Sequence, residues 1–71
     1  MRTFYLQRDE DESGVSGVGK VAEGVEFGDG TVVMRWLVEP NGLNVYGGPG
    51  GLAKVQAVHG HGGKTRVVIN N

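Results

Sequence analysis

The stretch Gly24-Val25-Glu26-Phe27-Gly28-Asp29-Gly30-Thr31-Val32-Val33-Met34-Arg35-Trp36 decides the fold class. Gly28-Asp29-Gly30 supplies the positive φ that a tight hairpin turn needs, and it lies between two runs rich in β-branched and aromatic residues. Thr31 to Leu37 is the clearest strand. With a period of two, Val32, Met34 and Trp36 share one face, and Val33, Arg35 and Leu37 share the other. Apolar surface on both sides predicts either a central strand or one face in contact with a second subunit. Trp36 reads as core. Arg35, flanked on its own face by Val33 and Leu37, predicts a carboxylate partner, Glu23 or Glu26 on the adjoining strand, or an anionic ligand.

Working outward toward the N-terminus, Lys20 to Phe27 is the partner strand. Val21, Val25 and Phe27 keep a common phase only if Glu23 faces inward or Glu23-Gly24 forms a bulge, and the bulge is the expectation. Thr3 to Arg8 alternates as a half-buried strand, with Phe4 and Leu6 on one face and Tyr5 and Gln7 on the other. Asp9-Glu10-Asp11-Glu12 suits no β core. Ser13-Gly14-Val15-Ser16-Gly17-Val18-Gly19 then forms a long loop, with Val15 and Val18 expected to hold it to the body.

Toward the C-terminus, Pro40-Asn41-Gly42 marks a turn, and Leu43 to Tyr46 a short fourth strand that leads into Gly47-Gly48-Pro49-Gly50-Gly51. Leu52, Val55 and Val58 recur at helical spacing, which predicts one or two helical turns ended by Gly60. After His61-Gly62-Gly63-Lys64, Thr65 to Ile69 closes the chain as a fifth strand. The expectation is one mainly β domain over residues 1–71, a small five-stranded barrel with a helical turn before the last strand.

A chain of 71 residues buries only about 60% of its unfolded surface, so its core is small. Without cysteine it has neither disulfides nor thiolate metal sites, which makes self-association the expected support and fits a reducing compartment. No apolar run approaches the roughly 20 residues of a membrane span, and Met1-Arg2-Thr3-Phe4 carries no signal-peptide pattern, so a cytoplasmic, soluble protein is expected. A net charge of -1 gives no positive field for nucleic acid. The 14 glycines are about three times the average usage of ~7% and punctuate β segments instead of forming a low-complexity block.

The strand order resembles that of SH3-like small barrels, and Gly24 to Trp36 is similar to the hairpin of their KOW and Tudor-type members. That resemblance implies a fold more than a function. Arg8-Asp9-Glu10-Asp11, Ser13-Gly14-Val15-Ser16-Gly17, Val21-Ala22-Glu23-Gly24-Val25, Asp29-Gly30-Thr31-Val32, Arg35-Trp36 and His59-Gly60-His61-Gly62-Gly63 resemble a group of short proteins from actinobacteria and their phages. This second resemblance implies a phage origin, and with it roles such as countering host defence or binding a host protein.

Several motifs imitate known chemistry. Gly14 to Lys20 has the GxxxxGK spacing of a phosphate loop, but Val21 stands where magnesium needs a hydroxyl and the loop leads into a strand. Its amides can still hold an anion. Asp9, Asp11, Ser13 and Gly14 open like a calcium loop, yet Lys20 occupies the position of the bidentate glutamate. Calcium and magnesium are therefore expected to leave the fold unchanged. His59 and His61 offer two imidazoles without a third metal ligand in sight. No nucleophile with its base, and no carboxylate pair, stands out.

The expectation is a binding protein, not an enzyme, with no cofactor and no metal. Its candidate site comprises Arg8, Ser13, Gly14, Ser16, Gly17, Arg35, His59, His61 and Gly62, where glycine amides, imidazoles and guanidinium groups converge on an anionic, nucleotide-type small molecule held in a homo-oligomer. The alternative is a module or inhibitor that docks a host protein, with the acidic loop steering a basic partner. A small hydrolase is a distant third.

Overall fold

The computed structural model describes residues 1–9, 18–38 and 41–70, apart from the side chain of His61. Five antiparallel strands, β1 (Arg2–Arg8), β2 (Gly19–Glu26), β3 (Val32–Trp36), β4 (Leu43–Tyr46) and β5 (Thr65–Ile69), form one sheet in the order β4-β3-β2-β1-β5. A helix, α1 (Gly51–His59), and a 3-10 turn, His61–Gly63, precede β5. The fold is thus mainly β, with one helix before the last strand.

The hairpin forms as its residues dictate. Gly30 takes φ 90, its N–H donates to the Phe27 carbonyl at 2.9 Å, and Phe27 N donates to Thr31 O at 2.7 Å. Asp29 Oδ1 accepts from Thr31 N at 2.9 Å and fixes the turn from the side. This is a tight hairpin loop that ends on a glycine with positive φ, which suits the twist of the strands it joins.

One face of the sheet carries the core. Phe4, Leu6, Val21, Ala22, Val32 and Met34, with Val55 of α1, are each no more than 1% exposed. Trp36, Tyr46, Leu52 and Val67 pack around them. The alternation of β1 and β3 read from the sequence places these residues correctly.

The irregularity of β2 lies earlier than expected. Leu6 pairs with Ala22 and Gln7 with Lys20, so Val21 is the extra residue. Bulging there lets both Val21 and Ala22 reach the core, and it restores the phase without turning Glu23 inward. Gly24 has a different task. Phe4 is its cross-strand partner, and a Cβ on Gly24 would lie 2.7 Å from the Phe4 ring and 2.6 Å from the Val33 carbonyl. The ring occupies the space a side chain would fill.

The sheet does not close into a barrel. β4 and β5 are its two edges, and α1 takes the place beside β5 that a closing strand would need. Gln56 Nε2 donates to Thr65 O at 3.0 Å, and Gln56 Oε1 accepts from Val67 N at 3.2 Å. One side-chain amide therefore takes up two outward backbone groups at the start of β5, as a neighbouring strand would. Two smaller expectations also change. Val58 is 62% exposed and Val18 66% exposed, so neither anchors its segment. Val15 lies outside the described residues.

Candidate functional site

Period two places Arg8 in phase with Phe4 and Leu6, on the core face. The residue is 6% exposed, and its Nε donates to Thr65 Oγ1 at 3.1 Å across the β1–β5 pair. Arg8 also pairs with Gly19, where the glycine-rich segment re-enters the sheet. The next residue, Asp9, donates its N–H to Lys64 O at 2.7 Å, and its carboxylate accepts from Arg66 Nε at 3.1 Å. The Asp9 end of the acidic, glycine-rich segment is thus held to Lys64, and its Gly19 end re-enters on the other side of Arg8, one strand away. Gly62 sits in the exposed 3-10 turn at φ 66. Ser13, Gly14, Ser16 and Gly17 lie outside the described residues, as does the His61 side chain.

His59 ends α1 and packs inward. Its ring meets Trp36 edge-on at 5.1 Å and Tyr46 at 6.1 Å between centroids, and Nε2 shares a hydrogen bond with Tyr46 Oη. Trp36 Nε1 donates to Asn44 Oδ1 at 2.7 Å. The Asn44 side chain also acts on the Tyr46 phenol, so Trp36, Asn44, Tyr46 and His59 form one polar and aromatic cluster. Trp36, Asn44 and Tyr46 are absent from the expected site. Period two within β4 aligns Asn44 with Tyr46, and the pairing of β4 with β3 sets that face beside Trp36, so the signal was one of parity.

This network has a pH signature. Burial pushes the Tyr46 phenol above its ordinary pKa, and the Asn44 hydrogen bond offsets only part of the rise. The folded chain then holds the phenol proton to higher pH than the unfolded chain does, so stability is lost as pH rises past the unfolded value of about 10. Tyr46→Phe should shrink the drop in melting temperature between about pH 9 and pH 11. An equal drop in parent and variant would contradict the buried, protonated phenol.

Arg35 lies on the opposite face of the sheet from Arg8 and His59, in phase with Val33. Its Nε donates to Glu23 Oε1 at 3.1 Å, and Lys20 Nζ lies 3.5 Å from Glu23 Oε2. Glu23 is thus the carboxylate partner anticipated for Arg35, whereas Glu26 pairs with Arg2 at 2.7 Å. Arg35, Glu23, Gly24, Val33 and Leu43 line a shallow depression of about 380 Å³ on this face. The chain therefore brings Arg8 and Gly62 to one end of the sheet, sets His59 into the aromatic network, and keeps Arg35 apart from all three.

Among the described residues no three His, Cys, Asp or Glu side chains come together as metal ligands, and no helix is long and apolar enough to cross a membrane. No curated protein and no solved structure matches the chain. Residues 1–71 match the model of the Acb5 phage protein family, and the chain belongs to that family.

Proposed function

We propose that this phage protein is a non-catalytic binding protein that acts in the cytoplasm as a homo-oligomer and sequesters an anionic, nucleotide-type small molecule, in a role against host defence. The observation that carries the reading is the joint rooting of two glycine-rich segments at Arg8, through the Arg8–Gly19 and Arg8–Thr65 pairs and the Asp9–Lys64 hydrogen bond. Glycine lets backbone amides approach a ligand closely, and segments rooted side by side can direct their amides at one anion. Arg8 holds the roots in register. Arg35 lies across the sheet, so it reaches such a ligand only from another subunit.

The test is native mass spectrometry after gentle purification, followed by calorimetric titration with linear and cyclic nucleotides. A retained species of nucleotide mass is expected. Ser16→Ala and His61→Ala should each weaken its binding by about ten- to a hundredfold, the loss of on the order of 1.5 to 3 kcal/mol from a charge-assisted contact, with circular dichroism unchanged. No retained nucleotide and no heat of binding, or variants that bind as the parent does, would overturn the reading. Recovery of a single host protein instead would favour the docking alternative.

A further inference from the structure

The two edges of the sheet are treated differently. The start of β5 is covered by Gln56, whereas no strand lies along the outer edge of β4 among the described residues. Trp36 N donates to Gly42 O at 2.9 Å, and Met34–Asn44 and Val32–Tyr46 continue that phase. By the alternation of an antiparallel ladder, Leu43 and Val45 therefore turn their own N–H and C=O groups outward. Their side chains are 73% and 68% exposed and project on the face away from α1. Leu43-Asn44-Val45-Tyr46 carries no charge and no proline, the usual protections of an exposed edge.

We propose that β4 pairs antiparallel with β4 of a second copy of this chain about a two-fold axis through Asn44, joining the two sheets edge to edge. This rests on the homo-oligomer named above and assigns its interface. A two-fold pairing must match each residue with its reciprocal, and the register that sets Leu43 against Val45 of the other copy does so with hydrogen-bonding residues opposite one another. It satisfies four outward backbone groups in each copy. It also carries the apolar row Val25–Val33–Val45, aligned across β2, β3 and β4, onto Leu43 of the partner. The strand is uncharged and the chain nearly neutral, so two copies meet without strong repulsion. A core with seven fully buried apolar residues among those described leaves a chain of this size in need of such support.

The test is light scattering of the full chain across a concentration series, with nucleotide binding followed separately by calorimetry. The parent should be a dimer at micromolar concentration. Val45→Pro removes only an outward N–H, so it should leave the β3–β4 ladder and the circular dichroism intact while weakening the dimer about ten- to a hundredfold. Val45→Thr should keep the dimer. Leu43→Lys, which charges the edge without touching the backbone, should weaken it as proline does, and it serves as the readout if the proline variant does not fold. A dimer indifferent to both substitutions would overturn the β4 interface and leave the oligomer standing. A parent that stays monomeric would overturn both, whatever calorimetry reports about ligand.

Discussion

Replacing Phe4 by alanine should remove a large part of the chain's stability. Phe4 is fully buried, it lies over Gly24, and its strand is flanked by both β2 and β5. Removing the ring takes away its transfer free energy and leaves a cavity floored by the Gly24 backbone. The expected cost is about 3–5 kcal/mol. A chain of 71 residues has a total stability of only about 4–10 kcal/mol at the usual per-residue value. Urea denaturation followed by Trp36 fluorescence reads the difference, and Phe4→Leu should keep the fold with a much smaller loss. An alanine variant destabilised by less than about 1.5 kcal/mol would mean that the ring is not part of a packed core.

Gly51→Ala comes next in size, and its sign is the informative part. At the start of an ordinary helix, alanine is favoured over glycine by up to about 1 kcal/mol. Here a Cβ on Gly51 would collide with the Gly30 carbonyl oxygen and lie 2.8 Å from Val32 Cγ2 and 3.1 Å from the Tyr46 carbonyl. Two of those three neighbours are backbone and cannot swing aside. The Gly51 N–H also donates to Gly30 O at 3.0 Å, and Gly48 N donates to Thr31 Oγ1 at 3.1 Å, so the hairpin tip is bound to the start of α1. Prising them apart should cost about 2–3 kcal/mol. Gly50→Ala separates space from conformation: nothing lies within 4 Å of its Cβ position, but its φ is +84, so only left-handed strain of about 1–2 kcal/mol is expected. If chemical denaturation showed Gly51→Ala to be stabilising, the hairpin tip and α1 would not be docked.

The strands were legible because period two is a strong signal in β1 and β3, and because Asp29-Gly30 leaves little choice of turn. The bulge was legible as a necessity but not as a position. Alternation shows that a phase slip occurs in β2, and Gly24 attracted it, yet Gly24 is small because Phe4 needs the room. Closure of the sheet was misjudged because nothing in Gln56 announces that a side-chain amide will stand in for a strand. In α1 the spacing of Leu52, Val55 and Val58 suggested an apolar stripe, and Leu52 and Val55 do face the core, but in the last turn His59 takes the inward position and Val58 turns to solvent. For the candidate site, the phase of β1 already set Arg8 on the core face, whereas its Thr65 partner is visible only once β5 is known to lie against β1. The sequence narrows a carboxylate partner for Arg35 to Glu23 or Glu26, and the β2–β3 register selects Glu23. The separation of Arg35 from Arg8 follows from strand parity, which the sequence contains once the slip at Val21 is placed.

The position of β1 between β2 and β5 sets a timetable for synthesis. β1 leaves the ribosome first, and the hairpin can pair with its one side early. Its other side must wait for Thr65, 57 residues after Arg8, an interval of roughly 3–11 s at ordinary elongation rates. Throughout that delay a nascent chain presents Phe4 and Leu6 on a strand with an open margin and an arginine still lacking its threonine. Closing so long a loop is also the slow kind of contact to form. In the cell, the yield of this protein should therefore depend on how well that first strand is shielded until the last one emerges.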